Sequence, residues 1–259
     1  MSPGFGVDER ELDTRLSEEG IQALRESHSS ESNILHFYKE YFTGLIRGEL
    51  GYSQSLGIPV KELFRERLPV TLKSLGIGFL LGWAVGLGLA LVTTTLNLPV
   101  INVSAVVVTG AFLCFPAAGV ALLFLLIQGP VPLGIAFVLL PRVFRYAKNL
   151  LLDAYAQPHI VTAKARGLSE LRILVCHVVP IAIPQILALA GVMVALGFGA
   201  AVPMEVICDS PGIGQLAWQA ALSRDLSLMV NLTLLVTLVT LASNLVADLA
   251  TARWKVEAL

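Results

Sequence analysis

The feature that most constrains this chain is a long run without a single charged side chain. No Asp, Glu, Lys, Arg or His occurs between Ser74 and Pro141, and the runs 178–204 and 226–247 are equally free of them. About 20 consecutive apolar residues span the hydrocarbon core of a bilayer, whereas a helix on the surface of a soluble protein needs a polar face. The three runs therefore predict an all-α, polytopic membrane protein.

Composition excludes several other classes. Only 14% of the 259 residues are charged, against about 25% in soluble domains. The net charge of −1 comes with no basic patch of the kind that binds nucleic acid. Cys114, Cys176 and Cys208 lie far apart in or beside apolar segments, which predicts neither a disulfide framework nor a metal site.

Two turn signals divide the longest uncharged run. Asn97-Leu98-Pro99 and Gln128-Gly129-Pro130 each combine a turn former with a proline, and a helix usually ends just before a proline. Pro116 and Pro184 lie inside predicted spans and are expected to kink them. The pattern predicts five spans, near 70–96, 100–127, 132–152, 181–206 and 227–251.

Charge orients these spans. From Arg142 to His177 there are six Lys or Arg and two acidic residues, and from Glu205 to Asp225 there are three acidic residues and one Arg. Because Lys and Arg accumulate in cytoplasmic loops, loop 153–180 is predicted to be cytoplasmic, and the loop near 207–226 external. The C-terminus is then cytoplasmic, and residues 1–68 are extracytoplasmic.

The N-terminal segment fits this orientation only with an additional helix. Residues 1–73 carry 12 acidic and 9 basic side chains, and no positive n-region followed by an apolar run precedes them. Export of such a segment is expected to need a transmembrane helix ahead of it. Either the chain lacks a first transmembrane helix or the orientation is the reverse; of the two, we expect the missing helix.

A stripe of glycines marks one face of the first predicted span. Gly78, Gly82 and Gly86 are spaced four residues apart, and small residues at this spacing let membrane helices approach closely. Close helix packing is one interpretation. A sliding surface along a transport route is the other.

The basic loop from residue 153 to 180 has its own helical pattern. Pro158 suits the first turn of a helix, and Gly167 can adopt the left-handed conformation that ends one. Ser169 can cap the next helix, whose first turn would contain Glu170. Taken alone, the loop is either an ordinary interfacial loop that sets topology or a docking surface for a partner.

The same loop resembles a known signature. Ala163-Lys164-Ala165-Arg166-Gly167-Leu168-Ser169, closed by His177-Val178-Val179-Pro180, is similar to the cytoplasmic motif of ABC-importer permeases, in the form typical of the dipeptide, oligopeptide and nickel branch. Further similar segments are Gly48 to Ser53, Arg67 to Leu72, Glu205 to Leu216, Arg224-Asp225 and Asn244-x-x-x-Asp248. Their order and spacing together resemble this family from about residue 8 to about 252.

The resemblance implies a fold, a function and partners. The fold would be a type I ABC-importer transmembrane domain, here over residues 69–252, and the chain would be a permease subunit rather than an enzyme. It would work with a second permease subunit, two ATP-binding subunits and an extracytoplasmic solute-binding protein in the inner membrane. No phosphate-binding Gly-x-x-x-x-Gly-Lys-Ser/Thr loop is present, so we expect ATP to bind the partner subunits and no cofactor to bind this chain.

The resemblance also assigns candidate residues. It implies that Gly167 and its basic neighbours dock onto the ATP-binding subunit, with Arg166 and Lys164 facing acidic residues there. For the external loop and the last span, a role along the substrate path and a purely structural role both remain open. The residues with these two open roles are Glu205, Pro211, Gly212, Gly214, Asn244 and Asp248.

Three alternatives stand beside a peptide or nickel importer. The chain can be an importer subunit for another solute, such as an amino acid. It can be a truncated, structural or inactive subunit. A membrane-embedded enzyme is the third, but it would need clustered His, Asp or Ser side chains inside the spans, and these are scarce.

Overall fold

The computed structural model describes residues 50–96 and 98–257, together with Thr43, Gly44 and Gly48. The chain divides into two compact units, Met1–Leu50 and Gly51–Leu259. Most of the first unit, and with it most of the predicted extracytoplasmic segment 1–68, lies outside the described residues. The fold below is that of the second unit.

Within the described part of this unit, helices account for the architecture and no β-strand occurs; Tyr52 and Pro59 form one isolated bridge. Pro158 is the first residue of the helix Pro158–Ala165, and Gly167 follows shortly after its end, as the backbone preferences of proline and glycine predict. The helices are α1 (Val60–Leu96), α2 (Pro99–Leu113), α3 (Ala117–Leu126), α4 (Val131–Tyr155), α5 (Pro158–Ala165), α6 (Glu170–Ile173), α7 (Val179–Ile207), α8 (Ile213–Leu222) and α9 (Leu226–Glu257). A π-helical segment, Leu174–Val178, joins α6 to α7.

Three continuous helical stretches are long and apolar enough to cross a membrane. They are Val60–Leu96, Glu170–Ile207 and Leu226–Trp254, and a fourth span exists if α2 and α3 together form one. The predicted span 132–152 lies within α4, which carries Arg142, Arg145 and Lys148. Within the described residues, the five-span count therefore stays a prediction.

The predicted span 100–127 consists of two helices rather than one kinked helix, and whether the two form one span stays a prediction. α2 and α3 are separate and meet at an angle of 92°. Pro116 lies at the break, with φ −65° and ψ 149°. A proline removes a backbone donor and disfavours helical geometry in the residue before it, which explains a break much sharper than a kink.

The glycine stripe of α1 lies directly against α4. A Cβ atom at Gly78 would come within 2.8 Å of the Ile135 side chain, and one at Gly86 within 2.9 Å of Val143. Gly82 is similarly close to the Ala136 carbonyl, at 3.0 Å. The stripe is thus a close-packing face, and the backbone approach it allows is the basis of the α1–α4 pair.

Two buried clusters form the core. One is centred on Ile135, Leu139 and Met193 and holds α4 against α1, α3 and α7. The other joins the end of α4 to the short helix α5, through Leu151 and Ile160. The second cluster fixes α5 in place, so the predicted docking loop is part of the folded body.

Substitution along the stripe tests this packing. Gly78→Val is expected to destabilise the protein by about 1–3 kcal/mol, the range for overpacking a core, because its side chain would collide with Ile135. Gly76→Val is the matched control, since a Cβ at Gly76 meets nothing within 4 Å. Thermal unfolding in detergent measures both variants; equal melting temperatures would contradict the packing role.

Candidate functional site

The predicted docking loop is built around helix α5. Pro158 lies in its first turn, and Gly167 follows its last turn with φ +74°. The Gly167 amide donates to the Lys164 carbonyl at 2.9 Å, and the Leu168 amide donates to the Ala163 carbonyl at 3.4 Å. These bonds satisfy carbonyls that the helix end would otherwise leave unpaired, and the left-handed turn they require favours glycine.

The loop residues divide into a buried and an exposed set. Ala163 is 4% exposed and belongs to the core cluster beneath α5. Lys164, Ala165, Arg166, Gly167 and Ser169 are exposed, and Leu168 is half-buried. Of the predicted docking residues, Ala163 therefore anchors the helix from below, and the exposed residues form its outer surface.

Lys164 in α5 and Arg166, which directly follows this helix, have different surroundings. Lys164 forms an ion pair with Glu170 at 3.0 Å, and its Nζ lies 5.8 Å from the centre of the Tyr155 ring. Arg166 forms no ion pair with any residue that the structure describes. Of these two side chains, Arg166 is therefore the one that is available to another molecule.

The capping role predicted for Ser169 is only partly correct. Ser169 occupies the N-cap position of α6 with φ −65° and ψ 148°, but its side chain makes no capping hydrogen bond. Its carbonyl accepts the Ile173 amide at 3.0 Å. Glu170, in the first turn, supplies the favourable negative charge, while its carboxylate is engaged by Lys164.

A small polar cavity lies beside α5. It has a volume of about 280 Å³ and is lined by His159, Thr162, Ala163, Arg166, Leu168 and His177. Nδ1 of His177 is buried and has no hydrogen-bond partner among the residues that the structure describes. The cavity brings two predicted motif residues, Arg166 and His177, to one place.

Pro180, which closes the loop, and Pro184, one turn later in α7, both accept hydrogen bonds from the last helix. Pro184 has no amide hydrogen, so the Pro180 carbonyl lacks its usual helical donor. The Trp254 indole Nε1 donates to this carbonyl at 3.2 Å, and the Thr251 hydroxyl donates to the Pro184 carbonyl at 3.1 Å. Trp254 is not among the residues predicted from the sequence; the signal that could have indicated this contact is the four-residue spacing of Pro180 and Pro184.

Glu205 organises the opposite end of the bundle. Its side chain is fully buried, and its carboxylate accepts the Thr71 hydroxyl at 2.7 Å and the Gly214 amide at 2.7 Å. Thr71 in turn accepts the Ile213 amide at 2.7 Å. The carboxylate thus lies at the N-terminus of α8, where the unpaired amides and the helix dipole favour an anion.

Gly212 and Gly214 make room for that carboxylate. A Cβ at Gly212 would collide with the Glu205 carboxylate. One at Gly214 would come within 2.6 Å of the Val202 backbone and 2.9 Å of Glu205 Oε2. The structure therefore joins three of the predicted residues in one arrangement, while Pro211 beside them is exposed.

Near Glu205, a series of hydrogen bonds between polar side chains was not predicted from the sequence. Arg67 donates to Gln215 Oε1 at 3.0 Å, and Gln215 Nε2 donates to Asp209 Oδ1 at 2.7 Å. Asp209 has φ +50°, a backbone conformation that Asp tolerates better than most residues. The chain of contacts ties α1 to the loop that precedes α8.

A set of hydrogen bonds around Asp225, called the Ser53–Asp225 clasp, joins the segment before α1 to the start of α9. The Ser53 and Ser55 hydroxyls donate to Asp225 Oδ2 at 2.6 and 2.9 Å, and the Leu228 amide donates to Oδ1 at 3.0 Å. Burial alone would raise the pKa of Asp225, but these hydrogen bonds and that from the Ser55 amide outweigh it and hold the pKa below its usual value. The stabilisation is therefore complete above the pKa of an unfolded Asp and is lost only as the pH falls through the lowered value.

Asn244 and Asp248, the two predicted residues of the last span, have different surroundings and share no partner among the described residues. Asn244 lies against Gly191, where a Cβ would collide with the Asn244 side chain. Asp248 is exposed and bonds to no residue that the structure describes. The Arg142 guanidinium donates to the Val138 carbonyl at 2.7 Å and to no side chain of the last helix that the structure describes.

A larger cavity lies under α8. Its volume is about 340 Å³, and it is lined mainly by apolar residues of α7, α8 and α9 with the hydroxyl-bearing residues Thr71, Thr233 and Thr237. Among the residues that the structure describes, no group of three or more His, Cys, Asp or Glu side chains could hold a metal ion.

The cap at Glu205 can be tested by removing its charge. Glu205→Gln is expected to lower stability by about 1–3 kcal/mol, the cost of leaving buried donors without their charged acceptor, and to expose loop 208–212 to proteolysis. Asp209→Asn is the control, because Asp209 is exposed and the amide oxygen of Asn can still accept the hydrogen bond from Gln215. Thermal unfolding and limited proteolysis measure both; an unchanged Glu205→Gln variant would show that the carboxylate does not order α8.

Curated proteins that are similar to this chain include two permease proteins of peptide transport systems. The oligopeptide transport system permease protein AppB of Bacillus subtilis strain 168 is 23% identical, over 92% of this chain and 84% of AppB. A chain of Brucella abortus strain 2308, described as a peptide transport system permease protein, is 27% identical over 81% of this chain and 75% of its own length.

A solved structure shares the fold. The inward-facing MetNI methionine ABC transporter contains a chain that matches with a TM-score of 0.66, covering 76% of this chain and 98% of that one. At 16% identity the match concerns the fold alone, and it confirms the predicted all-α importer architecture.

The family model for binding-protein-dependent transport system inner membrane components matches residues 74–254. This match covers most of the chain and includes α5, Glu205 and α9 as far as residue 254. The chain is therefore an inner-membrane permease component that relies on a separate ATPase subunit, and it belongs to the family of binding-protein-dependent transport system inner membrane components.

Proposed function

We propose that this chain is the permease subunit of an importer for peptides, and that α5 transmits ATP-driven movement to the membrane helices. The permease names of the similar chains from Bacillus subtilis and Brucella abortus support peptides as the solute. No described residue cluster favours nickel, and nothing in the described part specifically favours an amino acid. The exposed, glycine-terminated helix α5 is the observation that carries the proposal.

Only some residues of the sequence motif form the proposed docking surface. Ala165, Arg166 and Gly167 are exposed, and Gly167 has no neighbour within 4 Å of an added Cβ. An ATP-binding subunit could therefore approach the backbone there, with an acidic side chain near Arg166. Lys164 is held internally by Glu170, so its contribution is to shape the loop.

Force applied to α5 has a direct route into the bundle. Ile160 and Ala163 pack in the same cluster as Leu151 of α4 and Val178 before α7. A movement of α5 would therefore reach two long helices at once. Binding energy that favours one position of α5 would shift the bundle between inward- and outward-facing states, as coupling between two sites requires.

The complete transporter is proposed to contain two ATP-binding subunits, a second permease subunit and an extracytoplasmic solute-binding protein. The positive charge of loop 153–180 supports a cytoplasmic α5. With this orientation α8 and residues 1–68 are extracytoplasmic and the C-terminus is cytoplasmic. The Glu205 arrangement then orders the external loop, and its fully engaged carboxylate favours the structural role over direct contact with the solute.

Affinity purification of the tagged chain from its host membranes tests the docking role. Arg166→Glu, and separately deletion of Ala163 to Ser169, are expected to lower recovery of a nucleotide-binding subunit at least about tenfold, since loss of an interfacial charge pair costs more than one decade of affinity. Lys164→Gln is the matched control and should retain the subunit, because the exposed Lys164–Glu170 pair contributes little to the stability of the loop. Undiminished recovery after the deletion would refute docking at α5, provided that both variants reach the membrane fraction.

A further inference from the structure

The larger cavity, beneath α8, opens on one side of the bundle. The lining residues Thr71, Ile213 and Gly214 are buried and form its inner end. The lining residues Gly199 of α7 and Thr233 of α9 are exposed. The cavity is therefore a groove between α7 and α9, called the α7–α9 groove below, that α8 closes at one end.

The α7–α9 groove extends far along both helices. At a rise of about 1.5 Å per residue, its lining residue Ala195 lies about 18 Å before the end of α7, and Thr237 lies about 17 Å after the start of α9. Both helices belong to stretches that are long and apolar enough to cross a membrane. Because the hydrocarbon core is about 30 Å thick, the groove reaches from one side of the bilayer towards its middle.

The chemistry of the groove suits an apolar group. None of the described residues that line it carries a charge. The Thr71 hydroxyl donates to Glu205 at 2.7 Å. The Thr233 hydroxyl donates to the Met229 carbonyl at 2.9 Å, and the Thr237 hydroxyl to the Thr233 carbonyl at 2.8 Å. A molecule in the groove therefore finds no free hydroxyl donor, and burial of its own polar groups there would be costly.

The groove has room for a bulky side chain. Its volume is about 340 Å³, whereas an apolar cavity of about 150 Å³ already holds a benzene ring. A Cβ atom at Gly199 would meet nothing within 4 Å, so open space lies against this part of the wall. The groove is therefore large enough for the ring of a phenylalanine or the branched end of a leucine.

The exposed residues of the groove differ from those that α9 presents elsewhere. Leu238, Leu245 and Leu249 are each more than half exposed, and their spacing of seven and four residues places them on one face of the helix. Such a bulky aliphatic face suits lipid, whereas Thr233 and Thr237 on the groove side bear hydroxyl groups. Because α8 closes one end, the groove also suits a single side chain better than a continuous helix.

We infer that the α7–α9 groove binds an apolar side chain of the transported peptide, so that the permease itself favours solutes with such a side chain. This inference rests on the proposed function as a peptide permease. Removing an apolar side chain from water is favourable in proportion to its area, and the groove supplies an apolar surface for it. The charged ends of the peptide stay outside the groove, because no described lining residue offers them a charged partner.

Peptide import into membrane vesicles that contain the assembled transporter and its solute-binding protein tests the inference. The initial import rates of the tripeptides Ala-Phe-Ala and Ala-Ala-Ala are compared at low peptide concentration. Gly199→Leu fills the groove from α7, where an added Cβ is free of neighbours. Gly76→Leu is the matched control, because it adds the same side chain on α1, outside the groove, at another position where a Cβ meets nothing within 4 Å.

The measured quantity is the import rate of Ala-Phe-Ala divided by that of Ala-Ala-Ala. Gly199→Leu is expected to lower this ratio by about tenfold, the lower end of the discrimination that an apolar pocket provides, and Gly76→Leu to leave it unchanged. Gly199→Ala, which adds only one methyl group, lowers the ratio less than Gly199→Leu. The same solute-binding protein is present in every sample, so its own preference cancels from the comparison.

Two results would overturn the inference. An unchanged ratio in Gly199→Leu would mean that lipid or the second permease subunit covers the groove, and an equal loss of import of both peptides would mean that the groove does not distinguish side chains. If Gly199→Leu does not assemble with the ATP-binding subunit, Thr233→Leu fills the groove from the exposed position on α9 and must give the same selective loss. A failure of the proposed function is distinct from both results, because the unaltered transporter would then import neither peptide.

Discussion

Every polar group in this bundle must find a partner within the protein or face water, because lipid offers none. The structure meets this requirement at the points where a helix would otherwise leave groups unpaired. Glu205 accepts the hydrogen bonds of Thr71 and of the Gly214 amide at the start of α8, and Trp254 supplies the donor that Pro184 denies to the Pro180 carbonyl. The same two contacts connect α7 to its neighbours, so local satisfaction of polar groups also determines the arrangement of the long helices.

The groups that remain unpaired are informative for the same reason. Arg166, directly after α5, is an exposed cation without an ion-pair partner among the described residues, whereas Lys164 and Asp225 are engaged within the chain. Arg166 lies on the proposed docking surface. This position is consistent with a partner outside this chain, namely an ATP-binding subunit.

Much of the fold was predictable because lipid imposes strong local rules. Uncharged runs located the membrane helices, the Gly78–Gly86 spacing identified a packing face, and Pro158 with Gly167 marked both ends of α5. The 92° break at Pro116 was underestimated, since a proline in a sequence does not reveal whether neighbouring helices will support a straight continuation. The Ser53–Asp225 clasp and the Arg67–Gln215 contact join residues that are distant in sequence, and no local pattern specifies such contacts. The roles of Gly212 and Gly214 became clear only when the Glu205 carboxylate was found against them.

The central claim is that α5 is the element through which an ATP-binding subunit acts on this permease. Hydrogen–deuterium exchange on the chain, alone and in the assembled transporter, measures this directly. We predict that the amides of residues 158–169 become strongly protected when the ATP-binding subunits are present, while those of α8, at residues 213–222, change little. Equal exchange of residues 158–169 in both states, with the ATP-binding subunits demonstrably bound, would contradict the account.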